Sequence, residues 1–137
     1  MIYAVIDTNV LVSALLTKNV EAATVKVLNA IFQGMIVPMY NSEIIDEYDD
    51  VLHRQKFRFT PSLVDLYIEK ILELGISAKR IHSDEVLPDE DDVVFYEVAM
   101  SREDAYLVTG NTKHFPSQPI VVTPAEMVEI MKDHGWL

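Results

Sequence analysis

Asp7 directly follows a short apolar run, Ile2 to Ile6, and Asn111 follows residues 105–109 in the same way. Two polar side chains thus stand where two buried strands would end. In open α/β sheets, ligands bind outside the carboxyl ends of the strands. Each residue therefore has two readings: a group aimed at a ligand, or a turn residue that caps the following helix. Glu47 is a third carboxylate with a special place. Ile44, Ile45, Tyr48, Val51 and Leu52 form an apolar stripe at helical spacing. Glu43, Asp46 and Asp50 lie away from that stripe, whereas Glu47 and Asp49 lie at its edges. An edge carboxylate can lean into a cleft between helix and sheet. The fourth feature is Pro88-Asp89-Glu90-Asp91-Asp92, four consecutive acids before an apolar segment. Acids in a first helical turn are favoured by the helix dipole, but four adjacent like charges repel and a cation would relieve that repulsion. All-oxygen donor sets suit Mg²⁺ or Mn²⁺ over zinc or copper.

The elements that must position these groups follow from the spacing of apolar residues. Ile2 to Ile6 suits a buried parallel strand. Residues 10–16 and 22–32 are helical, closed by Gly34. Residues 35–38 are a second strand, and Asn41 or Ser42 caps a helix running to about residue 54. Residues 57–60 form a loop, Thr60-Pro61 starts a helix over 63–74, and Gly75 ends it. A third strand is expected at 78–82, a helix over 90–102, strands at 105–109 and 120–122, and a last helix from Pro124. Strands alternate with helices throughout, which predicts one domain over residues 1–137: a three-layer α/β/α sandwich with a central parallel sheet.

Composition narrows the chemistry. The 137 residues include no cysteine, so disulfides and zinc–thiolate sites are excluded. Half the residues are hydrophobic, enough for a core. No apolar run approaches a membrane span, and the start lacks the pattern of a signal peptide, so a cytoplasmic protein is expected. Eleven basic against 22 acidic residues give a formal charge of −11. That is the wrong sign for coating DNA, yet divalent cations can invert the field of a local cleft. His53, His82, His114 and His134 form no short-spaced ligand pair, and only His114 stands near a candidate site residue. No nucleophile elbow, phosphate-binding loop or dinucleotide fingerprint is present. Tyr and Phe are dispersed, so no platform for stacking single-stranded bases is evident.

The opening Ile6-Asp7-Thr8-Asn9-Val10-Leu11-Val12-Ser13-Ala14 closely resembles that of PIN-domain nucleases. Three further blocks resemble the family in order: Ser42-Glu43-Ile44-Ile45-Asp46-Glu47-Tyr48, Asp89-Glu90-Asp91-Asp92-Val93-Val94-Phe95, and Tyr106-Leu107-Val108-Thr109-Gly110-Asn111. The look is that of the PIN-type toxins of toxin–antitoxin pairs, in which Thr-Gly-Asn followed by Lys-His-Phe-Pro also occurs. The resemblance implies a PIN-like fold and a metal-dependent endoribonuclease with Mg²⁺ or Mn²⁺ as cofactor. It carries the metal-binding and catalytic roles to Asp7, Glu47 and Asp92. Thr8 and Asn9 would brace the first carboxylate, and Thr109 and Asn111 would position a ligand or water. Asp89 ranks first as a helix cap, and Asp91 as a solvated or outer acid.

Two departures stand out. Glu90 replaces the family's proline, which a helix start tolerates. Asn111 replaces a fourth acid and brings no negative charge, so a second metal would bind weakly or only with substrate. The expected partners are RNA, a small antitoxin offering a basic residue to the acidic pocket, and a second copy of the chain, with no membrane. One rival is a catalytically inactive binding module on the same fold. Another is a phosphatase or receiver-like domain, for which Lys113 is the only nearby lysine.

Overall fold

A computed structural model describes residues 1–136. Five strands form one sheet: β1 (Ile2–Ile6), β2 (Ile36–Tyr40), β3 (Ile76–Ser77), β4 (Ala105–Val108) and β5 (Val121–Val122). Their order is β3-β2-β1-β4-β5, and every neighbouring pair is parallel. The helices are α1 (Thr8–Leu16), α2 (Ala23–Phe32), α3 (Ser42–Leu52), α4 (Pro61–Leu74), α5 (Val93–Ala99) and α6 (Pro124–Asp133). Successive strand residues point to opposite faces. Ala4, Val5 and Ile6 are nevertheless all 1% exposed or less, so β1 is covered on both faces. This is the expected α/β/α sandwich.

Local sequence explains most boundaries. Gly34 adopts φ +80 after α2, the left-handed conformation that ends helices. Asn41 caps α3 by accepting from the Ile44 amide at 2.9 Å, and Pro61 stands in the first turn of α4. Thr123 and Glu126 form a reciprocal capping box on α6.

Two expectations need correction. The third strand is not at 78–82 but at Ile76–Ser77, immediately after α4. Its start is set by Gly75, where an added Cβ would lie 2.3 Å from the Pro38 carbonyl oxygen. Only a glycine lets the chain leave α4 so close to β2, and pairing begins at the next residue. Residues 78–89 are irregular. The helix expected over 90–102 begins with a 3₁₀ turn, Glu90–Asp92, and ends at Ala99.

Candidate active site

The sheet order reverses direction around β1: the chain crosses from β1 to β2 on one side and reaches β4 on the other. The crevice beyond the carboxyl ends of β1 and β4 is the topological switch point. Asp7 enters it from β1, and Thr109, Gly110 and Asn111 enter it from β4.

The Asp7 backbone precedes α1, but its side chain makes no capping bond. The carboxylate instead accepts the Thr109 hydroxyl at 2.8 Å and the Asn9 side-chain amide at 3.3 Å. Asn9 also accepts the Gly110 amide at 3.1 Å, and Thr109 accepts the Asn111 amide at 3.0 Å. The end of β4 is thereby stitched to the start of α1. Asp7 is buried, and burial pushes its pKa up to about 6; Thr109 works against this shift and the charge of Asp92 adds to it.

Glu47 projects from α3, half-buried, and accepts the hydroxyl of Thr8. Burial raises its pKa against the Thr8 bond, with further repulsion from Asp7, Asp91 and Asp89. One residue on, the buried Tyr48 hydroxyl donates to the carbonyl of Ile6, which fixes α3 against the end of β1. Asp92 ends the 3₁₀ turn. Its pKa is raised by burial and by Asp89, while His114, with Nδ1 3.3 Å from Asp92 Oδ2, pulls it down. Asp89 accepts the Asp91 amide at 2.9 Å, the capping role expected of it.

Asp7, Glu47 and Asp92 line one cavity of about 670 Å³ together with Thr8, Asn9, Asp89, Asp91, Asn111 and His114. Thr109 lies behind this wall, fully buried, and reaches the site through Asp7. Eight of the nine candidate site residues thus line one crevice, and the ninth, Thr109, backs it. The residues that sequence reading missed are Arg54 and Phe57, which line the same cavity from the turn after α3. Nothing in their spacing ties them to Asp7.

The carboxylates of Asp7, Glu47 and Asp92, with Asn111 beside them, offer oxygen donors of the kind that suit a hard divalent cation. A tighter group lies elsewhere: ligand atoms of Asp49, His53 and Asp65 are all within 4.8 Å of one another. The three cavity carboxylates are not drawn that close, as expected of like charges. The tighter group has a simpler explanation than metal binding. His53 Nδ1 meets the Asp49 carbonyl at 2.6 Å, and Nε2 meets Asp65 Oδ1 at 2.9 Å. When the ring is protonated both nitrogens donate, and the imidazolium pins α3 to α4. Its pKa is raised, first by the Asp49 carbonyl and further by the Asp49 and Asp65 charges. The contribution of this pin is therefore complete below the unfolded histidine pKa of about 6.5 and lost as pH rises through the folded one. We expect His53→Gln to lower the melting temperature slightly at pH 6 and not at pH 9. An equal loss at both would remove the charged pin.

A family model described as "PIN domain" matches residues 3–113, a span that contains Asp7, Glu47, Asp92 and Asn111. The chain belongs to the PIN-domain family. PIN domains are generally nucleases and typically use divalent metal ions. No curated protein and no solved structure matches the chain.

Proposed function

We propose that this PIN domain is a metal-dependent endoribonuclease that cuts RNA phosphodiester bonds and serves as the toxin of a toxin–antitoxin pair. The observation that carries the catalytic part is the meeting of Asp7, Glu47 and Asp92, from three separate elements, in one acidic cavity at the switch point. Their raised pKa values mark a cluster whose charges are poorly compensated by the protein alone, which a bound cation would relieve.

In this reading Asp7, Glu47 and Asp92 hold Mg²⁺ or Mn²⁺. Bound there, such an ion would supply a water of lowered pKa and would offset charge on phosphoryl oxygens. The chain's own work is to hold the carboxylates. Thr109 and Asn9 orient Asp7, Thr8 orients Glu47, and His114 braces Asp92. Asn111 offers the phosphate an amide without charge. No side chain has to attack phosphorus, which agrees with the lack of a nucleophile motif.

The remaining parts of the proposal concern context. The chain acts as one domain over 1–137 in the cytoplasm, alone or as a homodimer, and a small antitoxin inserts a basic side chain among the carboxylates. Among the described residues no helix is long and apolar enough to cross a membrane. A second reading, an inactive PIN-fold binding module, is favoured by one observation: Asn111 supplies no charge where the family carries an acid.

Purified protein incubated with single-stranded and structured RNA decides between the two. The nuclease cuts in Mg²⁺ or Mn²⁺, stops with chelator, and loses about a hundredfold or more of its rate in Asp92→Asn. Mn²⁺ binding without turnover on any RNA establishes the inactive module. Cleavage that survives Asp92→Asn unchanged removes the site.

A further inference from the structure

The turn that joins α3 to α4 contrasts with the rest of the molecule. The chain carries a formal charge of −11, yet residues 54–58 hold Arg54, Lys56 and Arg58, three of its eleven basic residues, with no acid among them. The fold shapes this segment. A 3₁₀ turn, Gln55–Phe57, is closed by Arg58 at φ 57, a left-handed conformation uncommon for any residue but glycine. That reversal lays the rings of Phe57 and Phe59 in a stack, with centroids 5.5 Å apart and planes 13° from parallel. The Lys56 ammonium stands 5.0 Å over the Phe57 ring. Dispersed in the sequence, these two aromatics meet in this turn with a cation beside them.

We propose that residues 54–58 are the strand-holding subsite of this nuclease: a single-stranded RNA leaves the carboxylate cavity along Arg54, stacks one base on Phe57, and sets neighbouring phosphates against Lys56 and Arg58. The proposal rests on the nuclease reading above. Three observations carry it. Arg54 and Phe57 line the same cavity as Asp7, Glu47 and Asp92, so a strand held at the carboxylates passes them without crossing bulk solvent. The segment supplies both groups that sequence-tolerant binding of a single strand needs, a partly exposed aromatic ring, which a base reaches once the mobile Lys56 side chain over it swings aside, and cations next to it. Among the described residues Lys56 and Arg58 make no ion pair, while Arg54 holds Asp50 at 3.0 Å in a half-exposed pair that a phosphate can exchange. The carboxylates of the cavity repel phosphate in the absence of a cation, so the proposal assigns cation-free affinity to this strip. A duplex keeps its bases stacked inside and has none to lay on Phe57. An acidic peptide satisfies the cations but leaves the ring unused.

The test is fluorescence anisotropy of the full chain in low salt and chelator, with a labelled single-stranded RNA 10-mer, an RNA hairpin duplex and a polyglutamate peptide as probes. The single strand binds best. Phe57→Leu, which keeps an apolar side chain, weakens it about tenfold. Lys56→Gln with Arg58→Gln, both exposed and outside the core, lowers the slope of log affinity against log salt by about 1.4, at about 0.7 per phosphate contact. No binding of the single strand, equal binding of the duplex, tighter binding of the peptide, or wild-type behaviour of both variants each overturns the proposal. Cleavage assays on the same proteins keep the two readings apart. Wild-type protein that binds through the strip but never cuts ends the nuclease reading and leaves the strip. Protein that cuts while both variants bind like wild type does the reverse.

Discussion

Replacing Asp7 with asparagine is expected to abolish metal-dependent cleavage and, in the same protein, to raise the melting temperature measured in chelator at neutral pH. Both effects come from one carboxylate. Asp7 is 6% exposed at the end of β1, and burial lifts its pKa from 3.8 to about 6 despite the Thr109 and Asn9 hydrogen bonds. An acid whose folded pKa lies above its unfolded one binds more protons in the native state between the two values. Stability therefore falls as pH rises through that window and stays reduced above it. At 1.36 kcal/mol per unit, the metal-free protein carries a cost of up to about 3 kcal/mol at pH 7. Asparagine keeps an oxygen for Thr109 and carries no charge to desolvate.

The variant should thus melt several degrees higher than wild type at pH 7.5, at roughly 3 °C per kcal/mol for a chain of this size. The difference should shrink towards pH 4, where wild-type Asp7 is itself protonated. Glu47 and Asp92 are shifted in the same direction but are present in both proteins, so they lower the stability of both as pH rises and largely cancel in the difference. Cleavage in Mn²⁺ should drop at least about a hundredfold, because on the proposed function the most buried candidate ligand is gone. A variant less stable than wild type at pH 7.5, or equally displaced at both pH values, would show that Asp7 does not carry an uncompensated charge.

Why Asp7 could be found from sequence, and Phe57 could not, follows from what each depends on. Asp7 and Asn111 end apolar runs that are strands, and the end of a parallel strand is a functional place whatever the topology. Glu47 was legible as the edge of a helical stripe, since α3 keeps one periodicity over eleven residues. Caps at Asn41 and Thr123 and the stop at Gly34 are written in residue type. The third strand was not, because Ile76 and Ser77 are both exposed at the edge of the sheet and have no alternation to betray them. Phe57 belongs to a turn whose shape depends on a left-handed arginine, and neither its ring stack nor its distance from Asp7 leaves a trace in spacing. Glu97 was hidden for another reason. It falls among apolar residues of α5, and its partner Arg80 lies 17 positions earlier in irregular chain.

That pair gives the second large effect. Arg80→Met is expected to cost about 2 to 3 kcal/mol and to weaken Mn²⁺ binding about tenfold, although Arg80 touches none of the candidate ligands. Its Nε donates to Glu97 Oε1 at 2.8 Å, and Nη1 reaches both oxygens of Glu43 at 3.0 and 2.9 Å. Glu97 is buried and takes the Ser83 amide on its other oxygen at 2.7 Å. One guanidinium therefore ties α3, at Glu43, to α5, at Glu97, and anchors the irregular stretch 78–89 that leads into Asp89 and Asp92. Glu43 stands one turn before Glu47, so loss of the clamp is expected to let Glu47 and Asp92 shift relative to one another. Methionine preserves the stem but leaves a buried carboxylate with one donor, and removing one partner of such a pair costs more than the pair contributes. The double variant Arg80→Met/Glu97→Gln should recover part of the stability but not the metal affinity, because the neutral amide relieves the buried charge without restoring the tie. Arg80→Lys should restore part of each, since a lysine cannot span both acids with a planar fork. Acid sensitivity offers an independent check. Burial favours protonated Glu97, but the Ser83 amide and Arg80 together outweigh it and lower the pKa. This stabilisation is present above about pH 4.5 and lost as pH falls through the folded value, opposite in sign to Asp7. Melts of Arg80→Met should accordingly lose part of the wild-type decline below pH 4. Unchanged melting together with unchanged Mn²⁺ affinity would reduce Arg80 to a surface ion pair.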